Sequence, residues 1–147
     1  MPALARKGLR VATARDRSVL LVDDEPDILL VAQMSLELVG GLKVLAAGTA
    51  SEGLSLAARE RPDAILLDVT MPGMDGPQAL ARLKADAATA DIPVIFMTAR
   101  VQGREVSRHL ERGAAGVIYK PFDPMTLAQE IARIAWVEPE PGAAKGG

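Results

Sequence analysis

A chain of 147 residues with 49% hydrophobic residues can bury one sizeable core, and with aromatics at only 3% that core must be built from Leu, Val, Ile and Ala. The formal charge of −2 is unevenly spread: residues 1–17 hold Arg6, Lys7, Arg10, Arg15 and Arg17 against Asp16, leaving an acidic remainder that argues against a nucleic-acid-binding body. The absence of cysteine excludes disulfides, thiolate zinc sites and thiol catalysis, and no apolar run is long enough to span a membrane.

Residues 1–17 show no clean period and read as a flexible basic arm, without the apolar stretch of a secretory signal. Ser18–Asp23 is a short apolar run ending in acid and predicts a buried strand. Pro26 suits the first turn of a helix, where its missing N–H would be unpaired anyway. Ile28, Ala32, Leu36 and Val39 keep helical spacing until Gly40-Gly41 stops the run. Lys43–Ala46 reads as a second strand, and Thr49 with Glu52 forms a capping box that opens a helix to about Glu60. Ala64–Leu67 is a third strand ending at Asp68. The Pro- and Gly-rich stretch Thr70–Gly76 is a loop, followed by a helix through about Ala85. Pro93–Met97 is a fourth strand, Val101–Arg112 a helix stopped by Gly113, and Gly116–Tyr119 a fifth strand. Asp123-Pro124 reads as an N-cap with Pro at the first helical position, and Leu127, Ile131 and Ile134 turn the last helix inward. Residues 138–147 read as a flexible tail or linker stub, leaving 18–137 as one domain.

Five strands thus alternate with five helices. Near-continuous apolar strands belong to a parallel sheet covered on both faces, and right-handed crossovers make it an α/β doubly wound five-stranded sheet. Ligands in such sheets bind beyond the carboxyl ends of the strands. There the sequence places Asp23-Asp24 after strand one, Asp68 after strand three, Thr98 after strand four and Lys120-Pro121 after strand five.

Unit charges about 4 Å apart repel by roughly 4 kcal/mol at an effective dielectric near 20, so clustered acids need a compensating cation or a raised pKa. Oxygen ligands without His or Cys point to a hard ion such as Mg²⁺. Lys120 adds a fixed positive charge and Thr98 a hydroxyl. Together these groups suit phosphoryl transfer, with Asp68 as the nucleophile that becomes an acyl phosphate.

Asp23-Asp24, Asp68 before Met71-Pro72-Gly73-Met74-Asp75-Gly76, Thr98-Ala99 and Lys120-Pro121-Phe122, spaced by 44, 30 and 22 residues from Asp24 through Asp68 and Thr98 to Lys120, resemble the response-regulator receiver family over about residues 18–136. The resemblance implies a flavodoxin-like (βα)5 fold with strand order 2-1-3-4-5. It implies that Asp68 accepts phosphate from a phosphohistidine on a sensor histidine kinase or a histidine phosphotransfer protein. It also implies that Asp24, Asp68 and the backbone carbonyl of Thr70 ligate Mg²⁺, with Asp23 helping to position the ion. Thr98 and Lys120 would contact the phosphoryl group, and the Lys120–Pro121 bond would be cis. Thr70 and Arg100 fall where the family tunes phosphate lifetime. The implied setting is cytoplasmic, without turnover of an outside substrate. Signalling would pass through the face of helix 4, strand 5 and helix 5, to a downstream protein or to a second copy in a homodimer. One departure is Val117, where the family often carries an aromatic; Tyr119 stands two residues later.

Each residue alone also has a structural reading: Asp23 and Asp24 as helix caps, Asp68 in a turn, Thr98 as a backbone-bonded hydroxyl, Lys120 as a solvated charge. Their joint arrival at one sheet edge favours a site. The rival functions are a non-phosphorylated interaction module of the same fold, DNA binding through the basic arm, and a haloacid-dehalogenase-like phosphatase. The last is weakened because Asp68-Val69-Thr70 lacks that family's second acid. His109, a lone imidazole, reads as a surface residue.

Arg100, Arg104, Arg108 and Arg112 recur every fourth residue and put like charges on one helix face, either as a solvated stripe or as a docking surface for an acidic partner. Charge reversal at Arg104 and Arg108 is expected to weaken partner binding while leaving phosphorylation intact; equal affinity of variant and parent in a pull-down titration would retire the docking role.

Overall fold

The computed structural model describes residues 17–99 and 103–136. The expected arm before Arg17, Arg100 with the expected start of the fourth helix at Val101, and the tail at 138–147 lie outside the described residues. The order is β1 (Ser18–Val22), α1 (Pro26–Met34), β2 (Lys43–Ala47), α2 (Ala50–Glu60), β3 (Ala64–Asp68), α3 (Gly76–Ala85), β4 (Val94–Thr98), α4 (Gly103–Glu111), β5 (Gly116–Tyr119) and α5 (Leu127–Ala135). All strand pairs are parallel, in the order β2-β1-β3-β4-β5.

Alternation along the strands divides the core. Leu20, Val22, Ile65, Leu67, Val94 and Phe96 face one side, against Ala50 and Ala57 of α2 and Ala79, Leu80 and Leu83 of α3. Val19, Leu21, Leu66, Ile95, Met97 and Ile118 face the other, against Ala32 of α1, Leu36, and Leu127 and Ile131 of α5. Every residue of β3 and β4 is buried, as expected of central strands covered on both faces. Each fully buried Leu, Ile or Phe contributes about 1.5–3 kcal/mol of transfer free energy, so these two strands anchor the fold.

Helix starts follow local chemistry. Thr49 Oγ1 accepts the Glu52 N–H at 3.1 Å, while the Glu52 carboxylate takes the Gly48 N–H at 3.0 Å. Asp75 and Gln78 form a reciprocal capping box at α3. The Lys120–Pro121 bond is cis, as the family resemblance implied.

Two expectations are corrected. The run from Ile28 to Val39 is not one uniform helix: after Met34 it widens into a π-type segment, Ser35–Val39, in which the Gly40 N–H reaches the Ser35 carbonyl. A wider turn shifts later residues out of the 3.6-residue phase, and Val39, expected inward, is 48% exposed. Asp123-Pro124 does not open the last helix. Asp123 Oδ1 accepts the Met125 N–H and its carbonyl takes the Thr126 and Leu127 N–H groups, making a separate turn before α5 begins at Leu127. The Pro124 carbonyl is instead taken by the Ser35 hydroxyl, a tertiary bond from the α1 side.

Gly76 ties α3 to the end of β3. A Cβ there would lie 2.6 Å from the Asp68 carbonyl oxygen and 2.8 Å from Val69 Cα, both backbone atoms. Gly76→Ala is therefore expected to cost about 1–3 kcal/mol. Gly48→Ala, where an added Cβ meets nothing within 4 Å, should stay within about 0.5 kcal/mol of the parent. Urea midpoints at unchanged slope measure both.

Candidate functional site

The strand register brings four chain segments to one edge. Val22 pairs with Leu67, so Asp23 and Asp68 emerge side by side beyond β1 and β3. Asp68 pairs with Met97 and Thr98 with Tyr119, which sets Thr98 and Lys120 on the other flank. Together Asp24, Glu25, Asp68, Thr70, Thr98, Ala99 and Lys120 line an open cleft of about 330 Å³.

At its centre stands the Lys120 ammonium, 2.9 Å from Asp23 Oδ2, 3.3 Å from Asp68 Oδ1 and 3.2 Å from Glu25 Oε1. The Asp23 side chain is fully buried, those of Asp68 and Lys120 are 7% and 14% exposed, and that of Glu25 is 61% exposed. Asp23 Oδ1 accepts the Glu25 N–H at 2.9 Å, which fixes that carboxylate. Its Oδ2 is close to Lys120 but receives no aligned hydrogen bond.

Burial pushes the Asp68 carboxyl up to about 6, and the neighbouring Asp23 charge adds to it; Lys120 and the Thr70 N–H pull the other way without cancelling them. For Lys120, burial lowers the pKa, but the close Asp23 carboxylate, with Asp68 and Glu25, outweighs it and leaves the ammonium above its ordinary value. The site thus holds a firmly protonated lysine beside a carboxyl that titrates near neutrality, an arrangement found where acids and nucleophiles are tuned for chemistry.

Asp23, Asp68, Thr98 and Lys120 meet as the sequence placed them. Asp24 lines the same cleft but is exposed, and Thr70 lies beside Asp68. Glu25 was missed. Its signal was the unbroken run Asp23-Asp24-Glu25, in which Glu25 reads as a residue before the helix. It does occupy the N-cap position of α1, yet its side chain caps nothing and turns to Lys120. His109 corrects a second expectation: it is buried, with its ring centroid 4.5 Å from that of Phe96, because the basic face of α4 leaves the opposite face to pack on β4. Burial, then Arg112, lower its pKa against an opposing pull from Glu105. Val117 is half-buried against the Phe96 side of the core, and Tyr119 is 39% exposed.

Comparison with known proteins agrees with this fold. A family model described as the response regulator receiver domain matches residues 19–132. Protein PilH of Pseudomonas aeruginosa is 38% identical over 113 residues, covering 77% of this chain and 93% of PilH. The phosphate regulon transcriptional regulatory protein PhoB of the same organism is 35% identical over 118 residues, 80% of this chain. The chain spans 51% of PhoB, about half the length of that regulator. Among solved structures, chemotaxis protein CheY4 of Vibrio cholerae superposes with a TM-score of 0.76 at 28% identity, over 81% of this chain and 98% of CheY4.

The raised Asp68 pKa has a signed consequence for the metal-free protein. Asp68 is harder to ionise folded than unfolded, so the folded chain binds more protons between its ordinary value of 3.8 and about 6. Its contribution to stability therefore falls as pH rises through that window and stays low above it. Asp68→Asn removes this loss. Relative to the parent, the variant should gain on the order of 1–3 kcal/mol between pH 4 and pH 7, read from urea midpoints in chelator.

Proposed function

The chain belongs to the response-regulator receiver family, and from that membership we propose that it takes a phosphoryl group onto Asp68 from a phosphohistidine of a sensor histidine kinase or histidine phosphotransfer protein. A carboxylate oxygen of Asp68 attacks phosphorus, the phosphorus–nitrogen bond breaks, and histidine leaves with the electron pair; water later cleaves the acyl phosphate to carboxylate and phosphate. The observation that carries this reading is the Lys120 ammonium held 3.3 Å from Asp68 in a cleft that also presents Thr98. Lys120 pairs with the phosphoryl charge and Thr98 donates its hydroxyl to a phosphoryl oxygen. Both compensate charge where it develops.

The donor set fits Mg²⁺. Asp23 and Asp68 each offer a carboxylate oxygen within 4.8 Å of the other, and the buried Asp23 Oδ2 still lacks an aligned donor. We assign Asp23, Asp24, Asp68 and the Thr70 backbone carbonyl to hold the ion. Bound there, it would offset negative charge on the phosphoryl oxygens.

Among the described residues no helix is long and apolar enough to cross a membrane. We place the protein in the cytoplasm, acting through protein contacts and not by turnover of an outside substrate. The output surface we assign is the face of α4, β5 and α5, where Arg104, Arg108 and Arg112 are exposed; a downstream protein or a second copy would bind there. A non-phosphorylated module is not favoured, since nothing in that role calls for the Asp23–Lys120–Asp68 cluster.

Intact-mass measurement after incubation with a small phosphodonor and Mg²⁺ tests the proposal. One phosphoryl adduct is expected, absent from Asp68→Asn and from samples with excess chelator. An unmodified parent chain, or an adduct that survives in Asp68→Asn, would overturn the assignment.

A further inference from the structure

An ammonium has three N–H donors and no more, and here three carboxylates surround it. The Lys120 Nζ donates to Glu25 Oε1 at 3.2 Å, whereas its closer approach to Asp23 Oδ2, at 2.9 Å, is an ion pair without an aligned hydrogen bond. A well-directed donor of Lys120 is thus spent on the most exposed of the three acids.

The three acids differ in freedom to let go. Asp23 is fully buried, and its other oxygen is tied to the Glu25 N–H. Asp68 is the acceptor of the proposed transfer and stays beside Lys120. Glu25 is 61% exposed, sits at the start of α1, and its side chain makes no capping hydrogen bond that would hold it elsewhere. Water can replace its bond to Lys120 at little cost, because an exposed ion pair is weak.

We propose that Glu25 is a positioning residue that holds one Lys120 N–H in the resting site and competes for it with an incoming phosphoryl group. This rests on the receiver function proposed above and deepens it. Glu25 acts as an internal competitor: its carboxylate and a phosphoryl oxygen claim the same N–H. The competition raises the threshold for occupying the site without contributing to the bond-making step. Shortening the side chain by one methylene should break the contact as effectively as removing its charge, since reach is what delivers Oε1 to Nζ.

Beryllofluoride, a phosphoryl mimic, tests this by calorimetric titration at saturating Mg²⁺. Glu25→Gln and Glu25→Asp should each bind it about three- to fivefold more tightly than the parent, the range an exposed ion pair supplies. Tightening in Glu25→Gln alone would mean simple charge repulsion and overturn the competition. Unchanged or weaker binding in both variants would overturn it as well. A parent chain that neither binds beryllofluoride nor gains phosphoryl mass would instead remove the receiver function itself, and the competition with it.

Discussion

The pairing of one half-buried lysine with a set of carboxylates is the constraint around which this molecule is arranged. Asp23 and Asp68 lie side by side in a partly desolvated edge where two negative charges repel strongly. The Lys120 ammonium between them makes the arrangement tolerable, yet burial and Asp23 still lift the Asp68 carboxyl to about 6. The carboxylate is thereby kept near a cation and close to its titration point. A fully neutralised pair would be more stable and less reactive; a fully unpaired one would not stay charged.

That electrostatic arrangement needs a rigid frame, and the parallel sheet provides it. The partners come from the ends of β1, β3, β4 and β5, four segments separated by long stretches of sequence but fixed by ladder register. Beneath them every side chain of β3 and β4 is buried. The dense packing of such a core resists sliding of one strand against the next. The price is local: Gly76 must remain without a side chain so that α3 can start against the Asp68 carbonyl.

Much of the fold was legible. Short apolar runs bounded by Gly, Pro and acids located the five strands to within about a residue, and the Thr49 cap marks a real helix start. The failures have a common cause. The π-type segment at Ser35–Val39 and the burial of His109 each involve a partner remote in sequence, the Pro124 carbonyl for Ser35 and Phe96 for His109, and the late start of α5 accompanies the same Ser35–Pro124 bond. Periodicity registers which face is apolar; it does not register a hydroxyl drawn out of the helix to a distant carbonyl. Glu25 escaped notice for the same reason, since an acid before a helix has an adequate local explanation and only the position of Lys120 supplies another.

The amino-acid sequence by itself determined the alternation of strands and helices, the parallel doubly wound sheet and the identity of the acids, hydroxyl and lysine at its edge, because strand periodicity and end-of-strand chemistry are local properties. The tertiary structure alone decided which carboxylates Lys120 touches, how far Asp68 is desolvated and where its pKa settles. Those quantities depend on distances of a few ångströms between segments up to about a hundred residues apart, and Coulomb energy and hydration vary too steeply over such distances for spacing along the chain to set them.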